Sequence, residues 1–178
     1  MKEKLKKRKS MSLLSLLLIP LFLSSAKVEV FFSATDGCED KIIKSINSAQ
    51  KSIKIAIYHL TSREITKALI DAKKRGVDVK IIADGEQAKD KFSKVLVLAK
   101  EGIDVKITDY SARKKRFLTP KMHHKFMIVD SKYVMTGSFN FTASAEELND
   151  ENCVFIYDST EVVEKFEKEF ERLWKISQ

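Results

Sequence analysis

The middle of the chain alternates short apolar runs with amphipathic stretches, and this alternation constrains the fold more than any other feature. Residues 53–58, 77–83 and 103–107 are apolar runs of strand length. Residues 62–75 and 89–101, which lie between those runs, carry apolar side chains at the spacing of an amphipathic helix. Because strands joined through helices run in the same direction, the alternation predicts a parallel sheet with helices on its faces.

More strand-like runs lie outside the alternation, at residues 28–32, 125–130, 133–137 and 153–157, and residues 159–176 have the apolar stripe of a final helix. The 125–130 and 133–137 runs are close enough in sequence to form a hairpin. A chain of 178 residues with 44% hydrophobic residues suits one domain with a sizeable core. The sequence therefore predicts a single α/β domain with a mixed, largely parallel sheet flanked by helices on both faces.

The first 26 residues have the three parts of an export signal. A lysine-rich start precedes the apolar residues 13–23, and the small residues at 24–26 suit a signal peptidase. Eleven residues are too few to span a bilayer, which takes about 20. We predict cleavage after Ala26, which leaves residues 27–178 as a periplasmic or secreted domain with no stable membrane span. The alternatives are an uncleaved anchor and a start codon placed too far upstream.

The formal charge of +8 is unevenly distributed. The first 26 residues contain six basic groups and one acid, which leaves 27 basic and 24 acidic residues, a net charge of +3, in the rest of the chain. Most of the excess positive charge therefore belongs to the leader and not to a binding surface.

The two cysteines, Cys38 and Cys153, do not have the spacing of metal ligands. In an oxidising compartment they could form a disulfide across a long loop, which would stabilise the fold by a few kcal/mol. The alternative is a pair of buried thiols, and the sequence leaves both open.

Two of the three histidines lie side by side in residues 121–130, KMHHKFMIVD. A strand alternates its side chains, so His123 and Lys125 are expected to project to one face and His124 to the other. Histidines that diverge in this way do not share one metal ion, and no cysteine or carboxylate completes a ligand set at the usual spacing. A metal site is therefore the weaker interpretation of the pair.

A second polar group follows the next strand. Gly137 allows close approach of the backbone, and Ser138 and Asn140 share one side of the extended chain. With His123 and Lys125 they supply a nucleophile, a cation and two neutral donors. Such a set suits a phosphate diester, because imidazole can attack phosphorus while the cation and the amide hold the non-bridging oxygens. This chemistry requires neither a metal ion nor a cofactor.

These residues form a pattern that resembles the complete HKD signature of the phospholipase D superfamily. The pattern in this chain is His123-x-Lys125-x4-Asp130-x6-Gly137-Ser138-x-Asn140. The stretches GSFNFT and ALIDAKKRGVDVKII also resemble the small, single-motif Nuc-type bacterial endonucleases, and the likeness extends over about residues 28–174. The resemblance implies a phospholipase D-like fold and makes residues 27–178 a catalytic domain.

The resemblance also implies roles for individual residues. His123 would be the nucleophile and would form a phosphohistidine intermediate. Lys125 and Asn140 would bind phosphate oxygens, and Ser138 would support them by hydrogen bonding. Glu151 lies where the family has a glutamate that orients the histidine, although it could instead be a solvated acid in an acidic run.

The remaining signature residues are expected to have supporting roles. Asp130 is predicted to be structural, because it directly follows an apolar strand. Gly137 belongs to the motif through its backbone, and His124 occupies a variable position and is expected to be dispensable. His59, which follows the 53–58 run, either lines the same end of the sheet or is an ordinary packing or surface residue.

The number of motifs bears on assembly. In-line displacement requires a nucleophile on one side of phosphorus and an acid for the leaving oxygen on the other. Larger superfamily members carry two HKD motifs for these roles, whereas this chain has one. We therefore predict a two-fold symmetric homodimer in which both His123 side chains meet at the axis.

The substrate is predicted from the basic run Arg113, Lys114, Lys115 and Arg116, which precedes the motif. On a loop beside the site it could bind nucleic-acid phosphates, although many such runs are merely solvated. The sequence thus favours a non-specific endonuclease for DNA or RNA. The main alternative is a cardiolipin-type phospholipid phosphodiesterase at a membrane surface, and a third is a DNA-binding module with an inactive site.

Overall fold

Seven strands form a single sheet in the computed structural model, which describes residues 25–110, 112 and 118–178. The strands are β1 Lys27–Phe32, β2 Ser52–Ile57, β3 Asp78–Asp84, β4 Asp104–Thr108, β5 Lys125–Val129, β6 Tyr133–Gly137 and β7 Asn152–Tyr157. Their order across the sheet is β1-β7-β6-β5-β2-β3-β4.

The sheet is mixed, as the sequence predicts, but its parallel part is confined to β2, β3 and β4. The other pairings, β1–β7, β7–β6, β6–β5 and β5–β2, are antiparallel. The predicted hairpin is confirmed as β5 and β6. The parallel share is smaller than expected for two reasons. The tight turn after β5 returns the chain antiparallel, and β6 and β7 also pair antiparallel although α5 lies between them.

The helices are α1 Ser33–Asp36, α2 Cys38–Ser48, α3 Arg63–Lys74, α4 Val95–Lys100, α5 Ala143–Glu147 and α6 Thr160–Ile176. The helix predicted over residues 89–101 is wrong in its first half, where α4 has not yet begun. There the Asp90 carboxylate accepts a hydrogen bond from the Phe92 N–H at 2.7 Å, and the Ser93 hydroxyl accepts one from the Val95 N–H at 3.4 Å. Such side-chain bonds to the backbone compete with helix formation.

Helices cover both faces of the sheet, and each face has its own core. On one side α2, α3 and α4 pack on alternate strand residues such as Ile53, Ile55 and Ile57. On the other side α6 packs on residues of opposite parity, including Ala56 and Phe126. This alternation separates the two faces of every central strand, including β5, which follows the paired histidines.

Cys38 and Cys153 are both buried and unbridged. The Cys38 thiol donates to the Phe31 carbonyl at 3.3 Å. A hydrogen bond between Cys153 and Cys38, together with burial, raises the pKa of the Cys153 thiol. Of the two alternatives that the sequence allows, the structure has the pair of buried thiols.

Within the part of the chain that the structure describes, no helix combines the length and the apolar character needed to cross a bilayer. The leader lies almost wholly outside the described residues, and so does the basic run at residues 113–116.

One edge of the sheet collects the chain segments that carry the predicted site. Lys125 at the start of β5 lies opposite Ile57 at the end of β2. The end of β6 pairs with the start of β7 through Gly137 and Cys153. The C-terminal ends of β3 and β4 reach the same edge, because both run parallel to β2.

Candidate active site

His123 and Lys125 lie together, as strand alternation predicts. Lys125 Nζ is 3.3 Å from both ring nitrogens of His123 and donates to the His123 carbonyl at 2.9 Å. Lys125 is buried, with 8% of its surface exposed, whereas His123 faces solvent. A buried ammonium group thus lies directly beside an accessible imidazole.

His124 points to the opposite face. Its Nε2 lies 3.1 Å from Glu169 Oε1 on α6, and its ring makes an edge contact with Phe126. The adjacent histidines therefore diverge, and only His123 is on the side of Lys125. Within residues 25–110, 112 and 118–178, no three His, Cys, Asp or Glu side chains converge as they would around a metal ion.

The electrostatic surroundings favour an uncharged imidazole at His123. Partial desolvation of the solvent-facing His123 ring lowers its pKa, and the positive charges of Lys125 and Lys121 lower it further, while Asp84 partly opposes them. Burial also lowers the pKa of Lys125, and Glu151 acts against this shift. A neutral imidazole has a free lone pair, which a nucleophile requires.

Tyr58 is a site residue that the sequence interpretation missed. Its ring centroid lies 4.5 Å from that of His123, and Lys125 Nζ lies 5.0 Å from the Tyr58 centroid. The Tyr58 hydroxyl accepts a hydrogen bond from Lys121 Nζ at 3.0 Å. The available signal was its position immediately after a buried strand whose end reaches the same sheet edge as His123.

Asp84, the last residue of β3, was also missed. It is 3% exposed, and its carboxylate accepts a hydrogen bond from the Met122 N–H at 2.9 Å. The same carboxylate accepts from the N–H groups of Glu86 and Gln87 at 3.1 and 3.2 Å. Asp84 therefore ties the backbone just before His123 to the end of β3. An acidic residue closing an apolar strand was the signal that could have identified it.

Ser138 and Gly137 shape the junction of β6 and β7. The Ser138 hydroxyl accepts hydrogen bonds from the backbone N–H and the side-chain amide of Asn152, at 3.0 and 3.4 Å. Gly137 has φ 150°, and a Cβ there would collide with the Asn152 carbonyl oxygen. The Ser138 hydroxyl is thus bonded to Asn152 at the strand junction, and its support of phosphate binding stays a prediction. The close approach of the Asn152 carbonyl requires glycine at position 137.

The side chain of Asn140 has one hydrogen-bond acceptor that is unsatisfied. Its Oδ1 is buried and has no hydrogen-bond partner among the described residues. The segment is held beside the end of β2, where the Phe141 N–H donates to the His59 carbonyl at 3.1 Å. Nε2 of His59 is likewise buried and unpartnered within the described ranges. Buried polar atoms are rarely left unsatisfied, so such atoms mark positions where a ligand or water can complete the hydrogen bonding.

Glu151 lies near Lys125 and is held at its backbone. Its N–H donates to the Ser33 hydroxyl at 3.0 Å, and its carbonyl accepts from the Ser33 N–H at 3.1 Å. Its carboxylate lies 3.5 Å from the Asn149 amide nitrogen. None of the hydrogen bonds between described residues joins Glu151 to His123, so the orienting role stays a prediction.

Asp130 lies at the other end of β5, away from the site edge. Its carboxylate accepts hydrogen bonds from the backbone N–H groups of Gln50, Lys51 and Ser52 at 2.7 to 3.2 Å. Burial would raise the pKa of Asp130, but the bonds from Ser52, Lys51 and Gln50 outweigh it and leave the pKa lowered. These contacts give Asp130 a structural role at the entrance to β2.

Comparison with known proteins agrees with this geometry. Residues 42–174 match the family model described as "Cardiolipin synthase, PLD-like domain". A phospholipase D of Rickettsia bellii is 41% identical over 137 residues, which are 77% of this chain and 64% of the relative. A mitochondrial cardiolipin hydrolase of Xenopus laevis is 33% identical over 141 residues, 79% of this chain and 63% of the relative. The chain therefore spans slightly less than two thirds of the length of these curated relatives.

Solved structures match over nearly their whole length. The phospholipase D family member Nuc from Salmonella typhimurium superposes with a TM-score of 0.77 at 34% identity, over 86% of this chain and 97% of Nuc. NucT from Helicobacter pylori gives a TM-score of 0.75 at 27% identity, over 86% of this chain and 98% of NucT. The expected phospholipase D-like fold is confirmed. With its single His-x-Lys motif at the sheet edge, the chain belongs to the phospholipase D superfamily as a Nuc-type member.

Proposed function

We propose that this protein is a metal-independent phosphodiesterase that cleaves nucleic acid through a phosphohistidine intermediate. The observation that carries the proposal is the contact between Lys125 Nζ and both ring nitrogens of His123, at 3.3 Å. The pKa of the same histidine is lowered by partial desolvation and by neighbouring cations. The contact combines a nucleophile with the charge that a phosphate diester needs for binding.

The reaction follows from these groups. A ring nitrogen of His123 attacks phosphorus, forming an N–P bond as the bond from phosphorus to the leaving oxygen breaks. Lys125 stabilises the non-bridging oxygens, and the side-chain N–H groups of Asn140 are the donors that would assist it. Water then attacks the phosphohistidine and restores the free imidazole.

The leaving oxygen needs a proton, and we assign that role to the partner subunit's His123 in a homodimer. The number of motifs supports this assembly, because the chain has one His-x-Lys motif whereas the reaction requires a group on each side of phosphorus.

Nucleic acid is the substrate that we favour. The motif and its surroundings resemble Nuc-type endonucleases, and the basic run at residues 113–116 precedes the site in the sequence. The second candidate is a phospholipid, because the relatives described above include a phospholipase D and a cardiolipin hydrolase. With phosphate contacts predominating, cleavage should show little sequence preference and should weaken as salt rises.

One assay separates these functions. Wild-type protein and His123→Ala are incubated with plasmid DNA, single-stranded DNA, RNA and cardiolipin vesicles, all with EDTA. Cleavage of nucleic acid that persists in EDTA and disappears in His123→Ala supports the proposal. Turnover of cardiolipin alone would establish the phospholipid activity instead, and DNA binding without any turnover would indicate a binding module.

We also propose that the protein is exported, on the basis of its lysine-rich and apolar leader. N-terminal sequencing of the protein recovered from the cell envelope or medium should give a chain that starts at Lys27. Recovery of the intact leader in the membrane fraction would instead show an anchor.

A further inference from the structure

Lys121 supplies a second cation beside the nucleophile. Lys121 is exposed. Its ammonium group donates a hydrogen bond to the Tyr58 hydroxyl at 3.0 Å and lies 5.4 Å from the Tyr58 ring centroid. None of the ion pairs in the described ranges involves Lys121. The charge is therefore held at a fixed point by a neutral partner.

Tyr58 also sets the relation of this cation to the reacting group. One side chain contacts the His123 ring, the Lys125 ammonium group and the Lys121 ammonium group. Lys125 is buried and touches the ring nitrogens, so it lies where the reacting phosphate must be. Among the described residues, Lys121 has no hydrogen bond to His123, although its charge helps to lower the pKa of His123. Lys121 is thus close enough to His123 to act on it electrostatically, but it is not hydrogen-bonded to it.

We propose that Lys121, positioned by Tyr58, binds the phosphate next to the scissile one in the substrate. This inference rests on the proposed function and deepens it, because it requires a substrate in which phosphodiesters follow one another along a chain. A single-stranded polynucleotide has this chemistry. The hydrogen bond to Tyr58 raises the pKa of Lys121, so the group stays charged at any pH at which the enzyme works.

A contact between Lys121 and a flanking phosphate changes how strongly substrate binding depends on salt concentration. Log affinity for a single strand falls linearly with log salt concentration, and each phosphate that a protein cation neutralises makes this slope steeper by about 0.7. A cation that binds a flanking phosphate contributes to this slope with an oligonucleotide, but not with a substrate that has one phosphate.

The test compares two substrates and three variants. The substrates are a single-stranded oligonucleotide and bis(p-nitrophenyl) phosphate, which contains one phosphate. The variants are Lys121→Met, Tyr58→Phe, which removes the hydroxyl and keeps the ring, and Lys67→Met as a control. Lys67 lies on α3 with 81% of its side chain exposed and pairs with Asp71.

Lys121→Met should lower kcat/KM severalfold more for the oligonucleotide than for the small diester, mainly through KM, and should reduce the salt slope by roughly 0.7. Tyr58→Phe should change both quantities in the same direction by less, and Lys67→Met should match wild type. Equal losses on both substrates, or an unchanged salt slope, would overturn the inference.

Failure of the nuclease proposal can be told apart from failure of the subsite. If the wild-type protein hydrolyses the small diester but does not cleave the oligonucleotide, the oligonucleotide is used as a competitive inhibitor of that hydrolysis. The subsite then predicts that Lys121→Met raises the inhibition constant and lowers its salt slope. An inhibition constant that Lys121→Met leaves unchanged contradicts the subsite even when the phosphodiesterase itself is active.

Discussion

Replacement of Asp130 tests whether a residue of the HKD signature acts on stability and not on catalysis. Asp130 Oδ1 accepts from the N–H groups of Lys51 and Ser52 at 2.7 and 3.0 Å, and Oδ2 accepts from the N–H of Gln50 at 3.0 Å. Asp130 has φ 53°, which asparagine tolerates better than alanine. Asp130→Asn therefore removes the charge with little added backbone strain, and Asp130→Ala removes all the side-chain bonds.

The expected loss in the free energy of unfolding follows from these hydrogen bonds. A hydrogen bond to a charged group is worth about 1.5–3 kcal/mol, and the partial exposure of this loop places each bond near or below the lower limit. We expect Asp130→Ala to lower the free energy of unfolding by about 3 kcal/mol and Asp130→Asn by about 1–2 kcal/mol. For a domain of this size the alanine variant should melt roughly 6–12 °C lower.

The pH dependence has a defined sign. Because the pKa of Asp130 is lowered in the folded state, the charge stabilises the fold above the unfolded pKa of about 3.9. That contribution disappears as the pH falls through the folded pKa. The difference in stability between wild type and Asp130→Asn should therefore be constant near neutral pH and should shrink below about pH 4.

The assay pairs denaturant unfolding with kcat measured where each variant is fully folded. We expect a lower unfolding midpoint and a kcat within a few-fold of wild type. A variant of unchanged stability whose kcat falls by about a hundredfold or more, the size of a general acid–base contribution, would refute the structural role.

The site and the core give three more expectations. His124→Ala removes an exposed pair with Glu169, so unfolding assays should show a loss below about 1 kcal/mol, and hydrolysis by the folded protein should persist. In the proposed dimer, one His123 ring must be neutral and the other protonated. Because the pKa of His123 is lowered, this singly protonated form should predominate below about pH 6.5, and kcat/KM should peak in that range. A peak of kcat/KM above about pH 7.5 would contradict the shared-proton mechanism. Cys38 and Cys153 should react with dithiobis(nitrobenzoate) only after unfolding, whereas a disulfide would leave no thiol to titrate even then.

Local patterns in the sequence predicted most of the fold. Helical spacing identified α3 and α6, and the alternation of β2 to β4 with helices identified the parallel strands. The start of α4 was mispredicted because the side chains of Asp90 and Ser93 bond to nearby backbone, a local competition that apolar spacing does not show. Strand direction outside β2 to β4 depends on the loops, so the sequence overstated the parallel share.

Local sequence patterns likewise predicted one part of the site and missed another. The divergence of His123 and His124 follows from strand alternation, which is a local property. Tyr58 is 63 residues from Lys121, and its contacts arise only when β2 and β5 pair. The role of Asp84 depends likewise on β3 reaching the same edge as the chain before β5. Contacts between distant segments require the register of the sheet, which no single stretch of sequence specifies.

The most direct test of the account is identification of the covalent intermediate. Wild-type protein is mixed with bis(p-nitrophenyl) phosphate, quenched under denaturing alkaline conditions that preserve phosphohistidine, digested, and analysed by tandem mass spectrometry. The account predicts a p-nitrophenylphosphoryl adduct on His123, none on His124, and neither adduct nor turnover in His123→Ala. An adduct on His124, or turnover by His123→Ala at the wild-type rate, would contradict the assignment of His123 as the nucleophile.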